Sequence, residues 1–76
     1  MRLSVDSRDP GYNPELASRA KCYLDGVWQE HALTADEERG LVVRHQTNEH
    51  GELVIRRDAV AYEQVFGHVR IDIVSN

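Results

Sequence analysis

The feature that most constrains the fold of this chain is the Asp25-Gly26 pair, which separates two short segments of strand-forming residues. A two-residue type I′ turn needs positive φ at both central positions. Asp tolerates that region, and Gly enters it without a steric penalty. The pair therefore predicts a β-hairpin with strands over 20–24 and 27–32.

The register of this hairpin sorts its side chains onto two faces. Tyr23 is opposite Trp28 on one face, and Leu24 is opposite Val27 on the other. We expect the aromatic pair to lie on a half-exposed surface and the aliphatic pair to lie in the core.

Two further patterns predict strands in the second half of the chain. The turn-forming segment 48–51, which begins with Asn and ends with Gly, predicts a hairpin with strands over 41–47 and 52–57. Alternating aliphatic and polar residues predict a half-buried strand over 68–74. The sequence thus predicts an all-β, mainly antiparallel fold of about five short strands, as a small barrel or rolled sheet.

Two segments carry helical signals. Thr34 with Glu37 three residues later is a capping-box pattern, and Gly40 suits a helix end, so we expect a short helical corner near 34–39. Residues 58–66 fit either a short helix or an extended segment, and a helical or irregular crossover is slightly favoured.

The N-terminal segment is predicted to be distinct from the rest of the chain. We expect residues 1–18 to form a lead-in to a single β domain at 19–76. Residues 2–5 alternate like a short strand, and 9–14 form a turn-rich linker. Asn13, followed by Pro and Glu, predicts the start of a short helix.

Composition limits the classes of function. The chain has 76 residues and a net charge of −4, which argues against a role in binding duplex DNA. A single cysteine cannot form an internal disulfide, and a core this small favours assembly with a protein partner or a second copy. Met1 is not followed by a leader-like segment, and no apolar run approaches the ~20 residues of a membrane span. We therefore expect a cytoplasmic protein with no membrane partner.

The residues capable of chemistry do not form a recognisable catalytic or metal motif. No pair among the candidate metal ligands has the close spacing of a zinc site. These ligands are Cys22, His31, His45, His50 and His68. The consecutive acids 36–38 suit a solvated surface turn better than a shared pocket. We expect no enzymatic activity, no cofactor, no metal and no small-molecule substrate.

The aromatic pair and the last strand predict a protein-binding surface, because Tyr, Trp and Arg are enriched at interface hot spots and an edge strand can pair with another chain. The candidate interface residues are Tyr23, Trp28, Arg70, Ile71 and Ile73. Lys21 beside the aromatics also fits an alternative, a small nucleic-acid-binding β-barrel. A third hypothesis, an acidic mimic of nucleic acid, ranks last because the acids are spread through both hairpins.

Three segments resemble small uncharacterised all-β proteins encoded by tailed bacteriophages and prophages. They are Lys21-Cys-Tyr-Leu-Asp-Gly-Val, Thr34-Ala-Asp-Glu-Glu-Arg-Gly-Leu-Val and Phe66-Gly-His-Val-Arg-Ile. The resemblance covers residues 20–73 and consists of turn and strand features. It implies a phage-type accessory protein of unknown role in the bacterial host cell or the virion, and it transfers no active-site residue.

Overall fold

Nine strands and one short helix make up the part of the chain that the computed structural model describes, residues 1–30 and 32–74. The helix α1 is Pro14–Ala17. The strands are β1 (Arg2–Ser4), β2 (Ala20–Leu24), β3 (Val27–Trp28), β4 (Ala32–Asp36), β5 (Leu41–His45), β6 (Ile55–Arg56), β7 (Ala59–Val60), β8 (Tyr62–Phe66) and β9 (Val69–Ile73).

These strands form three antiparallel sheets with the orders β1-β4-β5-β8, β3-β2-β9 and β6-β7. We call the first sheet A and the second sheet B. The predicted all-β, mainly antiparallel fold is confirmed. Over the described residues sheets A and B stay separate and do not close into a barrel.

The core lies between the inner faces of sheets A and B. Val42 of β5 is completely buried, and Ala35 of β4 and Val69 of β9 are buried beside it. Partly buried side chains from both sheets complete the cluster: Cys22, Leu24, Ala32, Val65 and Ile71. Because both sheets contribute, neither can bury its apolar face without the other.

The first hairpin has the predicted turn and register, but its second strand, predicted over 27–32, ends at Trp28, and Ala32 begins β4 of sheet A. Asp25 and Gly26 have φ values of 50° and 82°, and Leu24 is opposite Val27. Leu24 packs against the core, but the prediction that Val27 is a core residue is wrong: its side chain is 63% exposed. β3 is a two-residue edge strand, and the core cluster does not extend to it.

The predicted helical corner at 34–39 is wrong, because β4 continues in extended form to Asp36. The Thr34 hydroxyl lies 2.7 Å from that of Ser4 on β1, so it does not cap a helix. Asp36 instead accepts two hydrogen bonds at 3.0 Å from backbone N–H groups of the following turn. Gly40 ends this turn in the left-handed conformation, with a φ of 63°.

The second predicted hairpin is correct at its turn and wrong in its second strand. The Asn48 side-chain oxygen accepts hydrogen bonds from N–H groups of the turn, and Gly51 has a φ of 78°. Residues 47 and 53 then form one isolated bridge, and the long partner of β5 is β8.

Of the two alternatives for residues 58–66, the extended one is correct, and the slightly favoured helical or irregular crossover is wrong. Arg57 and Asp58 have φ values of 51° and 61° and form a two-residue turn between β6 and β7. Residues 59–66 are then extended in β7 and β8. The residues that would form the apolar face of a helix are not buried, since Tyr62 and Phe66 are both exposed.

Residues 1–18 belong to the same packed unit as the rest. β1 pairs with β4 and forms one edge of sheet A. On the other edge of β1, the Ser4 N–H donates a hydrogen bond to the carbonyl of Gly11 at 3.0 Å. The Ser4 carbonyl accepts one from the N–H of Asn13 at 3.1 Å. The predicted helix start is confirmed, because the Asn13 side chain accepts a hydrogen bond from the N–H of Leu16.

Candidate functional site

Three predicted interface residues lie in one row across the outer face of sheet B. Tyr23 on the central strand β2 is directly opposite Trp28 of β3 on one side and Arg70 of β9 on the other. The Trp28 side chain is 54% exposed, Arg70 is exposed, and Tyr23 between them is partly buried. We call Trp28, Tyr23 and Arg70 the aromatic–arginine row.

Two cations cover the rings of this row. The Arg70 guanidinium carbon lies 4.6 Å from the centroid of the Tyr23 ring, and the Lys21 Nζ lies 5.7 Å from that of Trp28. The carboxylate of Asp72 lies 3.2 Å from Arg70 and partly neutralises it. Cations over aromatic faces order the long side chains and produce a mixed apolar and positively charged surface.

Ile71 and Ile73 do not join this row, because alternate residues of β9 point to opposite faces of the sheet. Ile71 packs against the core, and Ile73 lies on the same side at the margin of the described structure. Of the five candidate interface residues, the structure therefore brings three together on one face and places two on the other.

The outer edge of β9 is partly occupied. Hydrogen bonds from Asp25 N–H to the carbonyl of His68 and from Val74 N–H to that of Arg19 show that alternate residues of β9 bond to β2. The N–H of Ile71 points the other way and donates to Glu37 Oε2 at 3.1 Å. The centre of this edge, which was expected to be able to pair with another chain, is thus capped by a carboxylate.

A cleft of about 300 Å³ opens between the sheets, and Cys22 is one of the residues that line it. Burial raises the pKa of the Cys22 thiol, and the nearby charge of Glu37 raises it further. A thiol held in its protonated form is a poor nucleophile and a poor metal ligand. Within residues 1–30 and 32–74, no three His, Cys, Asp or Glu side chains form a group able to hold a metal ion, and His31 lies outside those ranges.

The three consecutive acids make different contacts, although the Met1 ammonium lies 3.4 Å from Glu37 and 3.8 Å from Glu38. Asp36 is buried and bonded to the turn and to Arg2, and the backbone N–H of Arg39 contributes most to holding its pKa below the usual value. The Glu37 carboxylate accepts a hydrogen bond from the N–H of Ile71 on β9, and the Glu38 side chain is 86% exposed. This arrangement stabilises a turn, and it does not present paired carboxylates to a shared pocket.

Sequence reasoning missed a second exposed surface, on β8. Tyr62 and Phe66 are 61% and 68% exposed on the outer face of sheet A, with Gln64 between them. The His45 ring lies 5.3 Å from that of Tyr62, and its buried Nδ1 has no hydrogen-bond partner among the described residues. The signal that could have revealed this strand is the run 62–66 itself, which begins and ends in an aromatic residue directly before Gly67.

Comparison of the chain with protein-family models, curated proteins and solved structures gave no match. Among the residues that the structure describes, no helix has the length and apolar character needed to cross a membrane. The geometry of the two exposed surfaces is therefore the basis for a functional proposal.

Proposed function

We propose that this protein is a non-catalytic accessory protein, of the phage or prophage type that the sequence resembles, and that it acts by docking on a larger protein. The docking surface is the outer face of sheet B. The observation that carries the proposal is the aromatic–arginine row, in which Trp28, Tyr23 and Arg70 are adjacent across three hydrogen-bonded strands.

The composition of the row supports this role. Trp, Tyr and Arg are the residue types most often found at binding hot spots, because each offers a large contact area together with a polar group. The row stands on a sheet rather than on a loop, so binding would require little ordering of the backbone. Lys21 and Arg70 outweigh Asp72 and leave a small positive charge around the row, which fits a partner surface with an apolar centre and a few acidic residues around it.

The same side chains could in principle stack nucleic-acid bases, which is the competing hypothesis. Base stacking needs open aromatic faces, and here Arg70 and Lys21 lie over the rings of Tyr23 and Trp28. Asp72 also reduces the charge that Arg70 could offer to a phosphate. These contacts favour a protein partner over a nucleic acid.

The test is to capture a partner from a lysate of phage-infected bacteria, purify it and titrate it against matched variants. Trp28→Ala removes the most exposed ring of the row. Val27→Ala is the control, because Val27 is the adjacent residue of β3, is as exposed and points to the other face. We expect Trp28→Ala to weaken binding by about 30-fold or more, as at hot spots, and Val27→Ala to change it by less than about threefold.

Circular dichroism must show that both variants are folded. The proposal would be contradicted if the partner bound Trp28→Ala as tightly as the parent protein. It would also be contradicted if Trp28→Ala and Val27→Ala weakened binding by the same factor. A titration with labelled single-stranded DNA tests the competing hypothesis: binding that falls steeply with salt would replace protein docking by nucleic-acid binding.

A further inference from the structure

Four strands form the edges of sheets A and B, and three of those edges are short or covered. The edge of β1 is covered by residues 11–13, and that of β9 is capped at Ile71 by Glu37. β3 has only two residues. The fourth edge, that of the five-residue strand β8, has no covering group among residues 1–30 and 32–74.

The direction of the hydrogen bonds shows which groups this edge presents. Gln46 N–H donates to the carbonyl of Ala61, and Gly67 N–H donates to that of Gly40, so odd-numbered positions of this segment bond toward β5. In an antiparallel ladder the alternate residues point away. The N–H and C=O groups of Tyr62, Gln64 and Phe66 therefore face outward.

Proteins usually protect such an edge with a charged side chain, most often lysine, or with a proline, a bulge or a very short strand. The sequence of β8, Tyr-Glu-Gln-Val-Phe, contains no lysine or proline, and it pairs with β5 in unbroken register. Its one charged residue, Glu63, is paired with Arg44 of the neighbouring strand. Its outward residues instead include two exposed aromatic side chains.

We propose that two copies of this protein associate through antiparallel pairing of their β8 strands around a two-fold axis at Gln64. This register sets Tyr62 of each copy opposite Phe66 of the other, and the two Gln64 residues face each other. All outward N–H and C=O groups of these three residues then find partners. Two sheets A become one continuous sheet of eight strands.

The side chains are complementary in this register. Two Tyr–Phe pairs form on the outer face, and cross-strand aromatic pairs are among the more stabilising ones. On the inner face Glu63 lies opposite Val65 of the second copy, so no like charges meet. Arg44 already neutralises Glu63, its Nε lying 2.9 Å from the carboxylate. These features identify a second copy of the chain, rather than an unrelated strand, as the occupant of this edge.

A charge-exchange experiment at Gln64 tests the proposal, because this residue would meet its own copy across the axis. Gln64→Lys and Gln64→Glu each place like charges directly opposite one another, whereas a mixture of the two variants places opposite charges there. Gln64 is exposed, and its backbone groups take no part in the β5–β8 ladder, so both variants should fold.

Sedimentation equilibrium over a range of concentrations would measure association. We expect a reversible dimer of the parent, dimers about five-fold weaker for each variant alone, and a mixture that associates about ten-fold more tightly than either. A parent that stays monomeric at every concentration, variants that dimerise like the parent, or a mixture that restores nothing would each overturn the proposal.

This inference is independent of the docking surface on sheet B. Trp28→Ala should leave the dimer unchanged, so a failure of partner docking and a failure of β8 pairing would be told apart by the same set of variants.

Discussion

Replacing Glu37 by Ala is expected to destabilise the fold, because this side chain ties the 37–40 turn to the edge of β9. The Glu37 carboxylate accepts a hydrogen bond from the N–H of Ile71 at 3.1 Å. Hydrogen bonds to charged groups contribute about 1.5–3 kcal/mol when well formed. The Glu37 side chain is 33% exposed, and water would partly replace the lost bond, so we expect a loss of about 1 kcal/mol.

Glu38→Ala is the matched control. It removes the same charge from the next residue of the same turn, but Glu38 is 86% exposed and makes no hydrogen bond to β9. We expect a change within about 0.5 kcal/mol for this variant. Glu37→Gln keeps an acceptor oxygen without the charge and should fall between the two.

Thermal and urea unfolding followed by circular dichroism would give these differences. For a domain of this size a loss of 1 kcal/mol lowers Tm by roughly 4–8 °C. If Glu37→Ala and Glu38→Ala unfold at the same temperature, the carboxylate does not hold the edge of β9, and the reasoning about that edge is refuted.

Two further predictions concern the turns and the N-terminal segment. Gly40→Ala should lower the free energy of unfolding by more than about 2 kcal/mol, because the added Cβ would lie 2.5 Å from the Gly67 carbonyl oxygen and φ is +63°. Gly26→Ala, also at positive φ but with open space around it, should lower the free energy of unfolding by only about 1 kcal/mol. Equal losses for the two variants in urea unfolding would show that the Gly67 carbonyl does not crowd position 40. Hydrogen bonds from Arg2 lower the pKa of Asp9 to about 2 from an ordinary value of 3.8, so this carboxylate stabilises the fold above about pH 4 and its contribution disappears as the pH falls toward 2. Asp9→Asn should flatten that part of the stability–pH curve, and parallel curves for parent and variant would show that the contact does not contribute.

The sequence was sufficient where local backbone chemistry decides the structure. Asp25-Gly26 needs positive φ at both positions and is found there, and the Asn48–Gly51 turn follows from the same kind of requirement. The alternation in 68–74 led directly to β9. In the two turns one or two residues limit the backbone strongly enough that distant contacts do not change the outcome.

It was insufficient where distant strands compete for the same residues. The Thr34 and Glu37 pattern is a valid helix signal, but the Thr34 hydroxyl bonds Ser4 of β1 and the Glu37 carboxylate bonds β9, two partners far away in the chain. A capping-box pattern cannot reveal such partners.

The β8 surface was missed for a related reason. Arg57 and Asp58 form a turn at positive φ without a glycine, so the usual signal of a two-residue turn is absent. Without that turn, residues 58–66 showed no boundary between β7 and β8, so the sequence left a crossover and an extended segment both open, with the crossover slightly favoured. For the sheet B surface, Tyr23, Trp28 and Arg70 were identified from the sequence, whereas the cations over the rings became apparent only from the structure.

The most direct test of the central claim is fluorescence quenching, because Trp28 is the single tryptophan of the chain and the docking surface depends on its exposure. Because Trp28 is 54% exposed, iodide should quench the folded protein efficiently, and with Lys21 beside the ring the ratio of iodide to caesium quenching should exceed that of free tryptophan. A tryptophan that neither ion reaches in the folded protein would place Trp28 inside the core and contradict the account.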